Sequence, residues 1–393
     1  MEPEVQPPAS EVLPAEPATE THIPPTPIPD APDPWETRAL RWVFLGSQGL
    51  RSGWSVAIFI VLFILFATAA GFALVNLHLV TKGRQITFTA QSAFFEELIS
   101  FLALVGAAAV VALIERRRGN LLAYNLTGPR RLPHFLQGLV AGVAGLSALV
   151  GLLAWGGWLH FGPIALSGVD ILKYGAMWGA AFLLVGFVEE GLFRCYLQFT
   201  LTRGINFWWA LGLIALVCGS LVLRSTGNGV WGVYIVAAAG LFPCLLLQLR
   251  KAEGSGFWQA AWVTTTLFGF VHTSNGGENW IGIFSAAAVG FVFCVSVRVT
   301  GSAWWAIGCH TAWDWAQTYL YGAADSGMVA SGHYLTTSPN PASNVIWSGG
   351  ADGPEGSVLV LGILILYLVA LLLLYGRGRS TALEANTAAS AAG

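Results

Sequence analysis

Ten stretches of about 20 apolar residues, separated by short polar segments, dominate this 393-residue sequence. A hydrocarbon core about 30 Å thick is crossed by roughly 20 residues of helix, so runs of this length read as membrane spans. They lie at 54–80, 93–114, 135–159, 175–200, 206–223, 230–249, 257–273, 279–298, 302–321 and 357–376. The runs are continuous rather than alternating and too long for strands, which favours helices over a barrel. Charge is as sparse as this demands: 10% of residues are charged, against about 25% in a soluble domain. A net charge of −2 leaves no basic footprint for nucleic acid. All five cysteines fall inside apolar runs without C-x-x-C spacing, as small buried hydrophobes do. A soluble enzyme, a nucleic-acid binder and a disulfide-stapled secreted domain are thereby excluded.

The expected fold is an all-α polytopic transmembrane bundle of about ten spans with both termini cytoplasmic. Orientation follows Lys and Arg, which gather on the cytoplasmic side of membrane proteins. With the N-terminus inside, fourteen fall in inner segments, among them Arg116, Arg117, Arg118, Arg130 and Arg131, against four outside. Residues 1–34 hold eleven of the 18 prolines and read as a disordered acidic tail that cannot bury enough surface to order itself. It is no signal peptide, since the first apolar run starts only at Trp54. The expected organisation is a tail and lead-in over 1–53, two leading helices over 54–134 and a core over 135–321 carrying an inserted helix pair at 206–249. A polar external loop, read as an irregular surface segment, spans 322–356; the last helix (357–376) and a short tail (377–393) follow.

Charges inside the spans carry the functional signal. The fourth span reads Val188-Glu189-Glu190-Gly191-Leu192-Phe193-Arg194. Three such side chains near a helix centre cost about 9 kcal/mol to insert at roughly 3 kcal/mol each. Ionisable groups at this depth are functional by default. Glu190 and Arg194, at i,i+4, share a face and can pair. Glu189 sits about 100° round the helix, free of that pair and available to exchange a proton. Further on, Phe268 and His272 end the seventh span, and His310 and Asp314, again i,i+4, lie within the ninth.

Glu-Glu-x-x-x-Arg, Phe-x-x-x-His and His-x-x-x-Asp, each on its own apolar helix, together resemble the CAAX-processing and bacteriocin-processing (CPBP, or Abi) family of intramembrane proteases. That family includes the type 2 CAAX prenyl proteases. The resemblance runs from about residue 135 to 321, with the inserted pair as one departure and Asp314 in place of the family's usual Asn as another. It implies that Glu189 with His272 activates a water, that His310 with Asp314 stabilises the oxyanion, and that Glu190 and Arg194 brace the site with Phe268. Because an ionised carboxylate would repel an oxyanion, Asp314 is expected to orient His310 as an acceptor behind it. A metal such as zinc, held by Glu189, His272 and His310, stays open, although no H-E-x-x-H motif occurs. The implied partners are a membrane-anchored peptide or protein substrate and the lipid bilayer.

Glu189 is expected past the membrane centre and His272 near the outer end of its span. A broken or re-entrant segment at Thr273–Gly277 would bring them together. Glu96-Glu97, in the first turn of its span, reads as interface anchoring, and Asn125-Leu126-Thr127 as an unused glycosylation acceptor. No serine motif sits on an apolar helix and no Gly-x-Gly-Asp occurs. The rival readings are a proton-coupled transporter, with Glu189, Glu190, His272 and His310 as a relay, and a catalytically silent immunity or scaffold protein. A bacterial inner membrane is expected, since no eukaryotic retention signal ends the sequence.

Overall fold

The computed structural model describes residues 35–46, 49–77, 88–115, 120–224, 230–251 and 254–376. The expected tails 1–34 and 377–393, and Arg116, Arg117 and Arg118, lie outside them. The chain divides between Val43 and Phe44 into two compact units. Helix α1 (Trp35–Phe44) lies in the lead-in.

The second unit begins with a small antiparallel ribbon, β1 (Leu45–Gly46) on β2 (Gly49–Leu50). Helices α2 (Ser52–Asn76), α3 (Ala90–Ile114), α4 (Arg131–Trp155) and α5 (Val169–Glu190) follow. A π-helical stretch, Gly191–Leu197, joins α5 to α6 (Gln198–Gly204). Then come α7 (Phe207–Arg224), α8 (Val230–Arg250), α9 (Ser255–His272), α10 (Trp280–Thr300) and α11 (Trp304–Trp315), the last prolonged by a second π-stretch, Ala316–Leu320. The last helix is α13 (Leu359–Tyr375), after the one-turn helix α12 (Val345–Ser348). Among the described residues, each of the ten expected runs is mostly helical, and six helices are long and apolar enough to cross a membrane. Their outer surface is apolar: Leu223 and Trp155 are 89% and 88% exposed, as lipid-facing side chains are.

Caps explain several helix starts. Thr89 and Ser92 form a reciprocal capping box on α3, and Asn279 Oδ1 accepts from the Ile281 and Gly282 amides at the start of α10. Each satisfies amides that no helical carbonyl can reach.

The α4–α11 seam holds the centre. A Cβ on Gly142 would come within 2.3 Å of the Cys309 carbonyl, and one on Gly308 within 2.2 Å of the Phe135 carbonyl. Small residues at facing positions let the two backbones touch, the usual device where lipid supplies no hydrophobic drive between helices. The Tyr367 hydroxyl donates to the Ala141 carbonyl at 2.6 Å, tying α13 to this pair. Around the seam Leu146, Leu149, Val150, Leu153, Trp305 and Ile363 pack as one core.

The pair α7–α8, expected as an insertion, packs on α9 through Ala210, Ile214, Cys244, Ala260 and Val263. The 322–356 segment departs from expectation. Its strand β4 (Leu335–Pro339) pairs antiparallel with β3 (Leu159–Ile164), and turns built on positive-φ glycines, including Gly349 and Gly353, fold the remainder inward. Asp352 and Ser357 end up 1% and 0% exposed. This is a packed roof, because its backbone groups find partners in β3 and its side chains find α10 and α11.

Candidate active site

A cavity of about 330 Å³ opens beneath that roof. Its walls are the first turns of α3, the α5 segment from Phe182 to Glu189, the end of α9, the first half of α10 and the second half of α11. Every one of the expected residues Glu189, Phe268, His272, His310 and Asp314 borders it.

His310 is the hub. Its Nδ1 lies 2.8 Å from Glu190 Oε1, while Nε2 lies 3.4 Å from Asp314 Oδ2 and 3.8 Å from Glu189 Oε2. The orienting acceptor is therefore Glu190, reaching across from α5, and Asp314 sits on the opposite, cavity-facing nitrogen. This corrects the expectation that Asp314 stands behind the ring. The reason is tertiary: α5 and α11 pack closely, and a Cβ on Gly186 would lie 2.4 Å from Thr311 Oγ1.

Glu190 also meets Arg194, Oε2 to Nε at 3.2 Å, with both side chains fully buried. The rest of the guanidinium finds aromatic faces, its Cζ lying 4.1 Å from the Phe268 ring centroid, an arrangement in which a ring quadrupole partly replaces lost water. Gly290 leaves the space for it, since a Cβ there would come within 2.5 Å of an Arg194 nitrogen. The π-stretch starts directly after Glu190. Such a stretch leaves carbonyls without their regular partners, and the Asn125 side-chain amide donates to the Arg194 carbonyl at 2.7 Å. Asn125 is therefore engaged inside the fold.

His272 Nδ1 lies 2.8 Å from the Phe268 carbonyl, four residues back. A carbonyl only accepts, so Nδ1 carries the proton and Nε2 is left for another partner. α9 runs unbroken to His272 and stops there, and Thr273–Gly277 form turns leading towards α10. The continuous rod of α5, the π-stretch and α6 runs 36 residues from Val169 to Gly204, about 54 Å at 1.5 Å per residue, with Glu189 well inside it.

Six further acids border the cavity besides Glu189 and Asp314. Glu96 and Glu97 come from α3, Glu278 precedes α10, and Asp325, Asp352 and Glu355 hang from the roof. The interface-anchor reading of Glu96-Glu97 is thus corrected, because α3 starts at Ala90 and these two residues, about two turns inside it, border the chamber. One signal pointed to these groups: residues 54–376 hold only twelve acids, and 322–356 holds three of them with no Lys or Arg. Burial pushes Glu278 above the usual carboxylate range, Asp325 well above it, and Asp352 up to about 7. Asp325 Oδ2 accepts from Thr318 at 2.8 Å, and Glu355 Oε1 from the Trp313 indole at 2.7 Å.

Among the described residues, the group of three or more acidic or histidine side chains whose ligand atoms all lie within 4.8 Å of one another is Asp314, Asp325 and Glu355. Glu189, His272 and His310 do not form such a group as folded, so no step is routed through a metal on them.

The family model described as type II CAAX prenyl endopeptidase Rce1-like matches residues 171–251 and 242–316. These stretches contain Glu189, Glu190, Arg194, Phe268, His272, His310 and Asp314; Glu96, Glu97, Asp325, Asp352 and Glu355 lie outside them. No curated protein and no solved structure matches the chain.

Proposed function

Starting from a membrane protein that belongs, over residues 171–316, to the type II CAAX prenyl endopeptidase-like family, we propose that it hydrolyses a peptide bond of a membrane-associated substrate inside this chamber. The observation that carries the reading is the convergence on His310 of Glu190 at 2.8 Å and Glu189 at 3.8 Å, from a helix 120 residues away in sequence.

Glu189 is the general base, set within one water of the imidazole. It takes a proton from water as the oxygen adds to the scissile carbonyl carbon, and returns that proton to the leaving amine nitrogen as the C–N bond breaks. His272, its Nδ1–H tied to the Phe268 carbonyl, orients the water through Nε2. His310 carries a proton on each nitrogen: Glu190 fixes the Nδ1–H, and the Nε2–H donates to the tetrahedral oxyanion. Asp314 holds that Nε2 proton between turnovers. Arg194 fixes Glu190, so it acts through a neighbour and touches no substrate. A zinc ion bound by Glu189, His272 and His310 would supply Lewis-acid activation of the water, but the three side chains would first have to converge.

The test is cleavage of a tethered reporter peptide in proteoliposomes. Glu189→Gln is expected to abolish turnover while leaving the protein folded. Unchanged cleavage would overturn the assignment, and loss of a proton-driven solute flux in its place would support a transporter.

A further inference from the structure

We infer that the roof end of the chamber binds a cationic side chain of the substrate, a lysine or an arginine, and repels a peptide's C-terminal carboxylate. The inference deepens the hydrolytic reading and rests on it for the substrate's being a peptide.

Among the described residues, eight acidic side chains border the cavity and no lysine or arginine does. Five of the eight lie outside the residues the family model matches, so they stand apart from the proposed bond-breaking machinery. Asp314, Asp325 and Glu355 bring oxygens within 4.8 Å of one another. Thr318 and Trp313 each hold one oxygen of Asp325 and Glu355, leaving the second oxygen of each for another donor. A separate observation points to a missing donor. Asp352 is 1% exposed and borders the same cavity. Its Oδ2 accepts from the Asn279 amide, and its Oδ1 has no hydrogen-bond partner. A buried carboxyl group with one oxygen left unpaired is costly, and a bound ammonium or guanidinium would displace its proton and supply the missing donor.

The shape favours a side chain over a bare ion. The acids extend from α3 across to the roof, farther than the ligand shell of one ion. A space of about 330 Å³ accommodates a long side chain, and Phe182, Val289 and Phe293 give its aliphatic stem apolar walls. A C-terminal carboxylate would meet the same acids as a like charge, with the two histidines as the only basic groups on the lining among the described residues. The substrate segment is therefore expected to be internal, or to end away from the roof, with a basic residue close to the scissile bond.

The experiment uses the full chain with Glu189→Gln in nanodiscs, and fluorescent membrane-tethered peptides differing at one scanned position. Lysine and arginine peptides are expected to bind at least tenfold tighter than acetyl-lysine or glutamine peptides at one or two positions, and added salt should weaken the preference. Asp325→Asn and Glu355→Gln in that background should shrink the lysine-to-acetyl-lysine ratio towards one. Because the peptide-side comparison needs no second variant, a misfolded roof mutant does not spoil it. Equal affinity at every position, tighter binding of free than of amidated C-termini, or displacement of the lysine peptide by micromolar Ca²⁺ or Mn²⁺ would each overturn the inference. Selective binding without turnover by the unmodified chain would refute hydrolysis and leave the binding site standing. Turnover without charge preference would do the reverse.

Discussion

Arg194, Glu190 and His310 form a chain of three ionisable groups, two of them fully buried. Removing one partner of a buried pair leaves an uncompensated charge, worth about 3–5 kcal/mol. Glu190→Gln is expected to destabilise the protein by that order, read as a lower unfolding midpoint in detergent. It should also cut cleavage, because His310 loses the acceptor that fixes its Nδ1–H. Adding Arg194→Met removes the stranded cation, so the double variant should regain most of the stability but not the activity. Were both recovered together, Glu190 would be structural alone. His310→Ala, losing the oxyanion donor, is expected to lower kcat by about 10²–10³-fold.

At the scale of the element, two helices decide where the site lies. The α4–α11 seam permits no added side chain at Gly142, whereas Gly151 on the same helix has nothing within 4 Å of where its Cβ would be. Gly142→Leu is therefore expected to cost at least about 1–3 kcal/mol, the usual price of overpacking, and to shift α11 with His310, lowering kcat. Gly151→Ala should raise stability by about 0.5–1 kcal/mol and leave turnover alone. Thermal unfolding and cleavage of the two variants side by side check this. Both motif helices change winding just past their functional residues, at Gly191 and at Ala316. The apolar runs announced the helices but not the π-turns, since a winding change of one residue leaves composition untouched.

Over the whole molecule, the chamber gathers the ends of α3, α9, α10, α11 and α13 that face away from Arg130, Arg131, Arg203, Arg250 and Arg298. Under the positive-inside rule it is expected to face the non-cytoplasmic side. A cysteine placed at Ser343, in the roof segment, is expected to react with an impermeant maleimide in right-side-out vesicles, while one at Arg131 should not; the reverse pattern would invert the topology. The roof also sets a pH dependence. Asp352 is pushed up to about 7 by burial, so the folded state holds its proton where the unfolded chain has released it. That stabilisation is complete below about pH 4 and is lost as pH rises to 7. Protection factors over 322–356, taken relative to the intrinsic exchange rate at each pH, should accordingly fall between pH 4 and 7, and Asp352→Asn should flatten the response.

From the sequence alone came the all-α membrane bundle, its ten helices and the three polar motifs. Apolar run length and the insertion cost of a charge are local quantities, readable one helix at a time. The pairing of Glu190 with His310, the acids of α3 and the roof folded over the cavity were decided only in three dimensions. Each depends on which helix faces which across a hundred residues or more, and that is fixed by close backbone packing at glycines and by a β-ribbon closing a loop whose composition looks merely polar.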